Sequence, residues 1–283
     1  VPFDDVVEVS SYVSALDHGL ARLREGMPIS GRLLREIHAK LLERGRGADK
    51  QPGEFRRTQN WIGGTRPGNA RFVPPPPAAL PRCIAELENF LHAGEPQPAL
   101  IRAALAHLQF ETIHPFLDGN GRVGRLLIPM LLHEAGFMRQ PLLYLSLHFK
   151  QHRDEYYRQL DNVRLSGDWE AWLDFFLEGV ATTASAAVHT AQRLLALFKE
   201  DEDRLTSGKR SHQSALRVYG QIRARPMTNI THLAHATGLA FATVAKAVDR
   251  LVALGAKAGA SPKDSLMPWS KSAIALSHWP LYL

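Results

Sequence analysis

The stretch His114-Pro115-Phe116-Leu117-Asp118-Gly119-Asn120-Gly121-Arg122-Val123-Gly124-Arg125 lies between two apolar periodicities and links them. Upstream, Ile101, Ala104, Leu105 and Leu108 recur at i, i+3, i+4 and i+7. Downstream, Val123, Leu126, Leu127, Met130 and Leu131 recur at i, i+3, i+4, i+7 and i+8. Both spacings are those of amphipathic helices, so a polar, glycine-rich loop from His114 to Gly121 joins two helices. Gly119 and Gly121 allow positive φ and a close approach of backbone to ligand. They stand where the second helix begins, and the free N–H groups and positive dipole end of a helix favour an anion there. Arg122 and Arg125, three apart, project from one side of the first turn. Their guanidinium forks suit polyphosphate oxygens. Asp118 can hold Mg2+, which takes one or two carboxylates beside phosphate oxygens and water. His114 can accept a hydroxyl proton near neutral pH.

Competing readings of the same letters fail on context. Gly119-x-Gly121-x-x-Gly124 matches a dinucleotide fingerprint, but that motif needs a preceding strand, and a helical pattern precedes it here. His107 and His114 have no third partner in an H-E-x-x-H arrangement, which argues against a zinc hydrolase. A plain Gly-rich turn with solvated arginines explains any one residue but not the whole set.

Outward from the loop, Val6 to Arg24 reads as a helix, and Leu33, Leu34, Ile37, Leu41 and Leu42 mark another. Residues 46–77 are rich in Gly, Pro and Asn. Their apolar pieces Trp61-Ile62 and Phe72-Val73 flank a turn-rich connector, which predicts a β-hairpin. Pro74 to Pro77 predict a polyproline II segment. Pro129 predicts a kink two turns into the second helix. Further helices are expected over 150–164, 168–180 and 181–203, with Lys199 to Ser211 as the linker.

The chain has 283 residues, enough for two domains, expected at 1–200 and 212–283. One cysteine, Cys83, excludes an internal disulfide framework and points to a reducing compartment, the cytoplasm. No run of about 18 apolar residues predicts a membrane span. The N-terminus has no signal pattern, and it lacks Met, so the start is expected to be missing. The net charge of +6 is local. Residues 211–283 carry eight Lys/Arg against Asp249 and Asp264, leaving residues 1–210 neutral. A basic segment suits nucleic acid or another phosphate-rich partner. Thr228 to Gly238 reads as a short helix, and Val244, Ala247, Val248, Leu251 and Val252 as a second, together a helix-turn-helix shape. Thr243, Lys246 and Arg250 would face DNA. The same shape also serves protein docking or a homodimer contact. Gly255 to Leu283 holds few charges, which puts a β-wing in doubt.

The string His114-x-Phe116-x-Asp118-Gly119-Asn120-Gly121-Arg122-x-x-Arg125 resembles the signature of Fic-domain proteins at every fixed position. Pro52-Gly53-Glu54-Phe55-Arg56 and the hairpin extend the resemblance over roughly residues 5–185. It is nearest to bacterial Fic proteins with a C-terminal winged helix-turn-helix. The resemblance implies a mainly α fold: a Fic-type helical domain with a β-hairpin flap, a helical linker and a winged helix-turn-helix-like domain. It implies transfer of AMP from ATP to a Ser, Thr or Tyr hydroxyl of a target protein. His114 would be the general base and Phe116 the core anchor. Asp118 would hold Mg2+, and Gly119, Asn120 and Gly121 would cradle the α-phosphate. Arg122 would bind the β-phosphate and Arg125 the γ-phosphate. Tyr157 would line the adenine site, and Ile62, Gly63, Gly64 and Thr65 would dock the target. Gly121 is intact, whereas a kinase variant of the family has Lys there, so AMP transfer is favoured over phosphoryl or phosphocholine transfer. The family's inhibitory Ser/Thr-x-x-x-Glu-Gly/Asn string is absent: Glu25-Gly26 has Ala21, and Glu178-Gly179 has Asp174, where Ser or Thr is needed. Such a helix is expected upstream of Val1 or supplied from elsewhere. The alternative function is a DNA-binding regulator whose Fic domain only senses nucleotide.

Overall fold

The computed structural model describes residues 3–93, 97–138, 143–207, 213–225, 228–253, 258–259 and 275–276. They form two compact units, Val1–Ala187 and Val188–Tyr282. In the first unit the helices are α1 (Phe3–Arg24), α2 (Gly31–Leu41), α3 (Leu80–His92), α4 (Ala99–Ile113), α5 (Asn120–Glu134), α6 (Leu145–Gln151), α7 (Arg153–Ser166) and the start of α8 (Trp169–Thr206).

Local chemistry starts and places these helices. Ser30 has extended backbone and its hydroxyl accepts from the Leu33 N–H at 3.4 Å, capping α2. Leu33, Leu34, Ile37 and Leu41 then fall on one buried stripe. Pro81 begins α3, where its missing N–H is not needed. α4 and α5 are buried on most sides, α4 through Ala103, Ala104, Leu108 and Phe110, and α5 through Val123, Leu126, Leu127 and Met130. They are the central pair of the unit, against which α1, α2 and α3 pack. α5 runs through Pro129 as one helix. Trp172 of α8 is fully buried and its indole N–H donates to the Ala104 carbonyl at 3.1 Å.

Four expected features differ. The 62–73 segment is no two-stranded hairpin: Ile62 and Phe72 form a single antiparallel bridge, with the Ile62 N–H donating to the Phe72 carbonyl at 2.9 Å. The connector between them is used up by Gly63 and Gly64 at positive φ and a 3₁₀ turn at Pro67–Asn69. Pro74 stops the ladder on the other side, and Trp61 and Val73 are exposed, so no buried face demands a longer one. Residues 168–180 and 181–203 join into the single 38-residue α8. Gly179 is not a break, because a Cβ there would meet the ring of His148, 2.6 Å from its Cδ2. The expected linker from Lys199 is helical to Thr206, and the expected 150–164 helix is two helices divided at His152.

The second unit has its own core. α9 (Gln213–Ala224), missed by the sequence reading, joins α10 (Ile230–Thr237) and α11 (Phe241–Ala253) around Val218, Tyr219, Leu233, Val244 and Leu251. The Asn229 side chain caps α10, accepting from the His232 N–H at 2.8 Å, and Gly238 at φ 66° ends it. β1 (Ala258–Gly259) pairs antiparallel with β2 (Ala275–Leu276). The rest of Gly255–Leu283 and the Gly208–Ser211 part of the expected linker lie outside the described residues. Asp201, itself buried, accepts from the Tyr219 hydroxyl at 2.7 Å. Tyr219→Phe strands that carboxylate and is expected to cost about 1–3 kcal/mol. Urea titration of residues 188–282 within the full chain checks it, and an unchanged midpoint contradicts it.

Candidate functional site

The loop between α4 and α5 is held from four directions. His114 ends α4 in the left-handed region (φ 48°, ψ 59°), its N–H donating to the Phe110 carbonyl at 2.9 Å. Such a conformation is costly for a side-chain-bearing residue and is kept where the surroundings impose it. Arg56, only 2% exposed, is one restraint. Its Nε donates to the His114 carbonyl at 3.0 Å and its Nη2 to the Pro75 carbonyl at 2.5 Å, while its N–H meets the Pro115 carbonyl at 2.9 Å. Phe116 is the second, fully buried between Phe55, Phe110 and the His38 ring, on which it stacks at 3.8 Å. Asn120 is the third. Its side chain accepts from the Phe116 N–H at 2.8 Å and donates to the Phe116 carbonyl at 2.7 Å, which Asn60 also reaches at 2.9 Å. His38 is the fourth. Its Nδ1 accepts from the Gly53 N–H at 2.8 Å, so the ring proton sits on Nε2 and is donated to the Asp118 carbonyl at 3.0 Å. Burial lowers the His38 pKa to about 4 and keeps it in that neutral form.

This clamp aims the chemistry. Gly119 caps α5 at φ 80°, a conformation side-chain residues avoid, and a Cβ there would stand 2.8 Å from Leu42. Its N–H is taken by Asp118 Oδ1 at 2.6 Å. The first-turn N–H groups of Asn120, Gly121 and Arg122 have no intrahelical acceptor. Asn120 therefore offers an anion its backbone only, since its side chain is committed to the loop. Arg122 reaches Glu8 of α1 at 3.2 Å and Asp118 Oδ2 at 3.7 Å. Arg125 lies close enough to Tyr12, one turn beyond Glu8, to offset part of the rise that burial gives that hydroxyl's pKa. Arg125 Nε is buried without a hydrogen-bond partner among the described residues. Burial, helped by Arg164 and Arg56, lowers the His114 pKa to about 4, so the ring is neutral at pH 7. Among the described residues no group of three His, Cys, Asp or Glu side chains could hold a metal alone.

The 62–73 segment stands against α7. Arg71 bonds Asp161 at 2.5 Å and lies over the Tyr157 ring at 5.2 Å. Arg164 lies 3.9 Å from the Phe72 ring centroid and donates to the Glu111 carbonyl and Thr112 hydroxyl at 3.2 Å each. Tyr157 is half-buried beside this segment, while Tyr156 is buried and bonded to His107 at 3.0 Å. Ile62 makes the bridge, Gly63 and Gly64 turn the chain, and the Thr65 N–H donates to Asn69 Oδ1 at 3.0 Å. The structure thus brings His114, Asp118 and Gly119 to Arg125 to one locus. Sequence reading missed His38, Asn60, Glu111 and Arg164. Arg56 stood in a quoted string without a role.

The buried titrating groups predict a pH dependence of stability. His38, His107 and His114 are each lowered by burial to about 4 from 6.5, and Glu111 is raised by burial to about 7 from 4.5. Between pH 4.5 and 6.5 the unfolded chain holds three histidine protons that the native chain lacks, and lacks the one that native Glu111 holds. Unfolding therefore takes up a net two protons from these groups, and stability falls on acidification. The histidine contribution is complete above pH 6.5 and is lost toward pH 4. The Glu111 contribution runs oppositely, complete below pH 4.5 and lost as pH rises through 7. Tm is expected to fall steadily from pH 6.5 to 4.5, and a constant Tm there contradicts the burial of these rings.

Residues 28–132 match the family model described as Fic/DOC family. The chain is 33% identical over 184 residues to a protein adenylyltransferase Fic of Culex quinquefasciatus, covering 63% of this chain and 34% of that protein. It is 29% identical over 223 residues to the Drosophila mojavensis protein of the same name, covering 76% of this chain and 41% of that one. The chain thus spans well under half the length of these relatives. A Fic family protein of Desulfovibrio desulfuricans superposes with a TM-score of 0.57 at 20% identity, over 98% of this chain and 77% of that one. A Fic domain-containing protein of Bacteroides thetaiotaomicron gives 0.55 at 18% identity, over 68% and 74%. The family match, which spans the clamped loop and the start of α5, identifies residues 28–132 as a Fic/DOC family domain, and the two superpositions share its fold.

Proposed function

We propose that the chain transfers AMP from ATP to a Ser, Thr or Tyr hydroxyl of a target protein and releases pyrophosphate. The observation that carries this reading is the pairing of a buried, neutral His114 with the open N-terminus of α5 and its two arginines. A neutral imidazole can take the hydroxyl proton as oxygen attacks the α-phosphorus. The free N–H groups of α5 receive the charge developing on the α-phosphate. Arg122 takes the β-phosphate, releasing Glu8, and Arg125 the γ-phosphate. Asp118 fits a magnesium ion that arrives with the nucleotide: Oδ1 is committed to the Gly119 N–H, and among the described residues Oδ2 pairs with Arg46 at 3.9 Å and Arg122 at 3.7 Å. When bound, the ion would neutralise phosphate charge.

Tyr157, beside Arg71, would face the adenine. Ile62 to Thr65 would pair with an extended segment of the target by backbone addition. Residues 1–200 would act as the transferase and 212–283 as a winged helix-turn-helix-like module. ATP as substrate and a lone cysteine suit a cytoplasmic protein. A DNA-binding role for the second module is favoured by Lys246 and Arg250, exposed on α11 opposite its buried Val244, Ala247 and Leu251.

Incubation of a cell lysate with α-labelled ATP tests the reading. Protein labelling that requires the wild-type chain supports it. Salt-dependent retention of DNA by a chain that labels nothing would support the regulator instead.

A further inference from the structure

One turn before His114, α4 carries a glutamate turned into the interior. Glu111 is 6% exposed, and its Oε1 has no hydrogen-bond partner. Its Oε2 lies 4.0 Å from His114 Nδ1, a buried nitrogen that has no close hydrogen bond among the described residues and whose nearest polar neighbours include the Glu111 backbone. Oε1, the open oxygen, lies toward Gly124, and Oε2 is the oxygen on the side of the ring. A buried carboxyl with an oxygen left open is costly, which favours its closing on a neighbouring donor. The neighbouring helix is cut to fit this carboxyl. Gly124 lies inside α5, where glycine costs about 1 kcal/mol relative to alanine. A Cβ there would run into Glu111 Oε1. The glycine leaves the carboxyl the space that a side chain would take.

We propose that Glu111 is a positioning residue for the transfer reaction, turning the His114 ring so that Nδ1–H faces Glu111 and Nε2 is left free for the target hydroxyl. The proposal rests on the AMP-transfer reading. In the step, the hydroxyl proton passes to Nε2 while the new O–P bond forms and the bond to pyrophosphate breaks. The imidazolium so formed carries Nδ1–H against the Glu111 carboxylate. The 4.0 Å gap closes with a small rotation of the ring, as such contacts commonly tighten in the reacting complex. Glu111 is also faced by Arg125 from α5 and by Arg164 and Tyr156 from α7, and His114 by Arg164, Arg56 and Asp118. Burial lifts Glu111 to about 7 against the pull of Arg125 and Arg164, so its ionisation falls near neutral pH.

Two readouts on the full chain test this. The first is the NMR signal of the His114 ring across pH 4 to 9, assigned by its loss in His114→Ala. It is expected to show a step near pH 7 that Glu111→Gln removes. The second is the pH profile of AMP transfer. Wild type is expected to rise through the same step, and Glu111→Gln to fall ~10–100-fold and lose that limb. Gly124→Ala, which favours the helix but displaces the carboxyl, should lower the rate in the same way. A step at His114 that survives Glu111→Gln, or a rate loss with the limb unmoved, overturns the proposal. If wild type transfers nothing yet the Glu111-dependent step is present, the coupling stands and the activity reading falls.

Discussion

Replacing His114 by alanine is expected to reduce AMP transfer by at least ~10²–10⁴-fold, the usual cost of losing a general base. Nucleotide affinity should change little, because the phosphate-facing groups lie on α5, beyond the loop. The variant must still hold φ 48° at position 114, and alanine tolerates that region poorly. Asparagine tolerates it better, so His114→Asn separates chemistry from backbone strain. Both variants should be inactive and should bind ATP. Single-turnover transfer with ATP affinity measured alongside checks this. Undiminished transfer by either variant removes His114 from the mechanism.

Replacing Arg56 by methionine is expected to be the most damaging change to the architecture of the site. The arginine is buried and its guanidinium serves the carbonyls of His114, Pro75, Thr58 and Ile113. Methionine keeps the stem packing but leaves these carbonyls dry. The expected cost is about 3–5 kcal/mol, since bonds to a charged donor are worth more than neutral ones and their loss orphans buried acceptors. That is a fall of about 10 °C in Tm for a unit of this size. Arg56→Lys should recover little, because one ammonium cannot span the same set. Transfer should fall with stability, since the His114 carbonyl is part of the clamp. Wild-type melting of Arg56→Met would mean that the loop is held by other means.

Much of this was legible in the chain because chemistry and fold share one segment. The residues from His114 to Arg125 carry their functional groups and also mark the end of one helix and the start of the next. Their neighbours in space were not legible. His38 precedes Asp118 by 80 residues. Its spacing, four residues after Leu34 and three before Leu41, places it on the apolar stripe of α2, but nothing in that stripe tells which distant loop it meets. Glu111 reads as a polar position on α4, and only the packing of α5 and α7 around it makes it buried. Asn120 reads as an anion ligand from its place beside two glycines, yet its side chain closes the loop on Phe116. The sequence predicts helices over 168–180 and 181–203, where the structure has the single helix Trp169–Thr206. The contact of His148 with Gly179 accounts for that glycine without a break. The 62–73 segment shows the converse. Its apolar pairs suggest strands, but with both outer residues exposed the packing supports one bridge only.

In the proposed reaction the loop and α5 position ATP for attack at its α-phosphorus. Parallel incubations with α-labelled and γ-labelled ATP, each with the wild-type chain and a lysate, test it most directly. Protein-bound label is expected from the α position alone, with pyrophosphate formed in equal amount and neither product seen with His114→Asn. Label from the γ position, or α label that persists in the His114 variant, would contradict it.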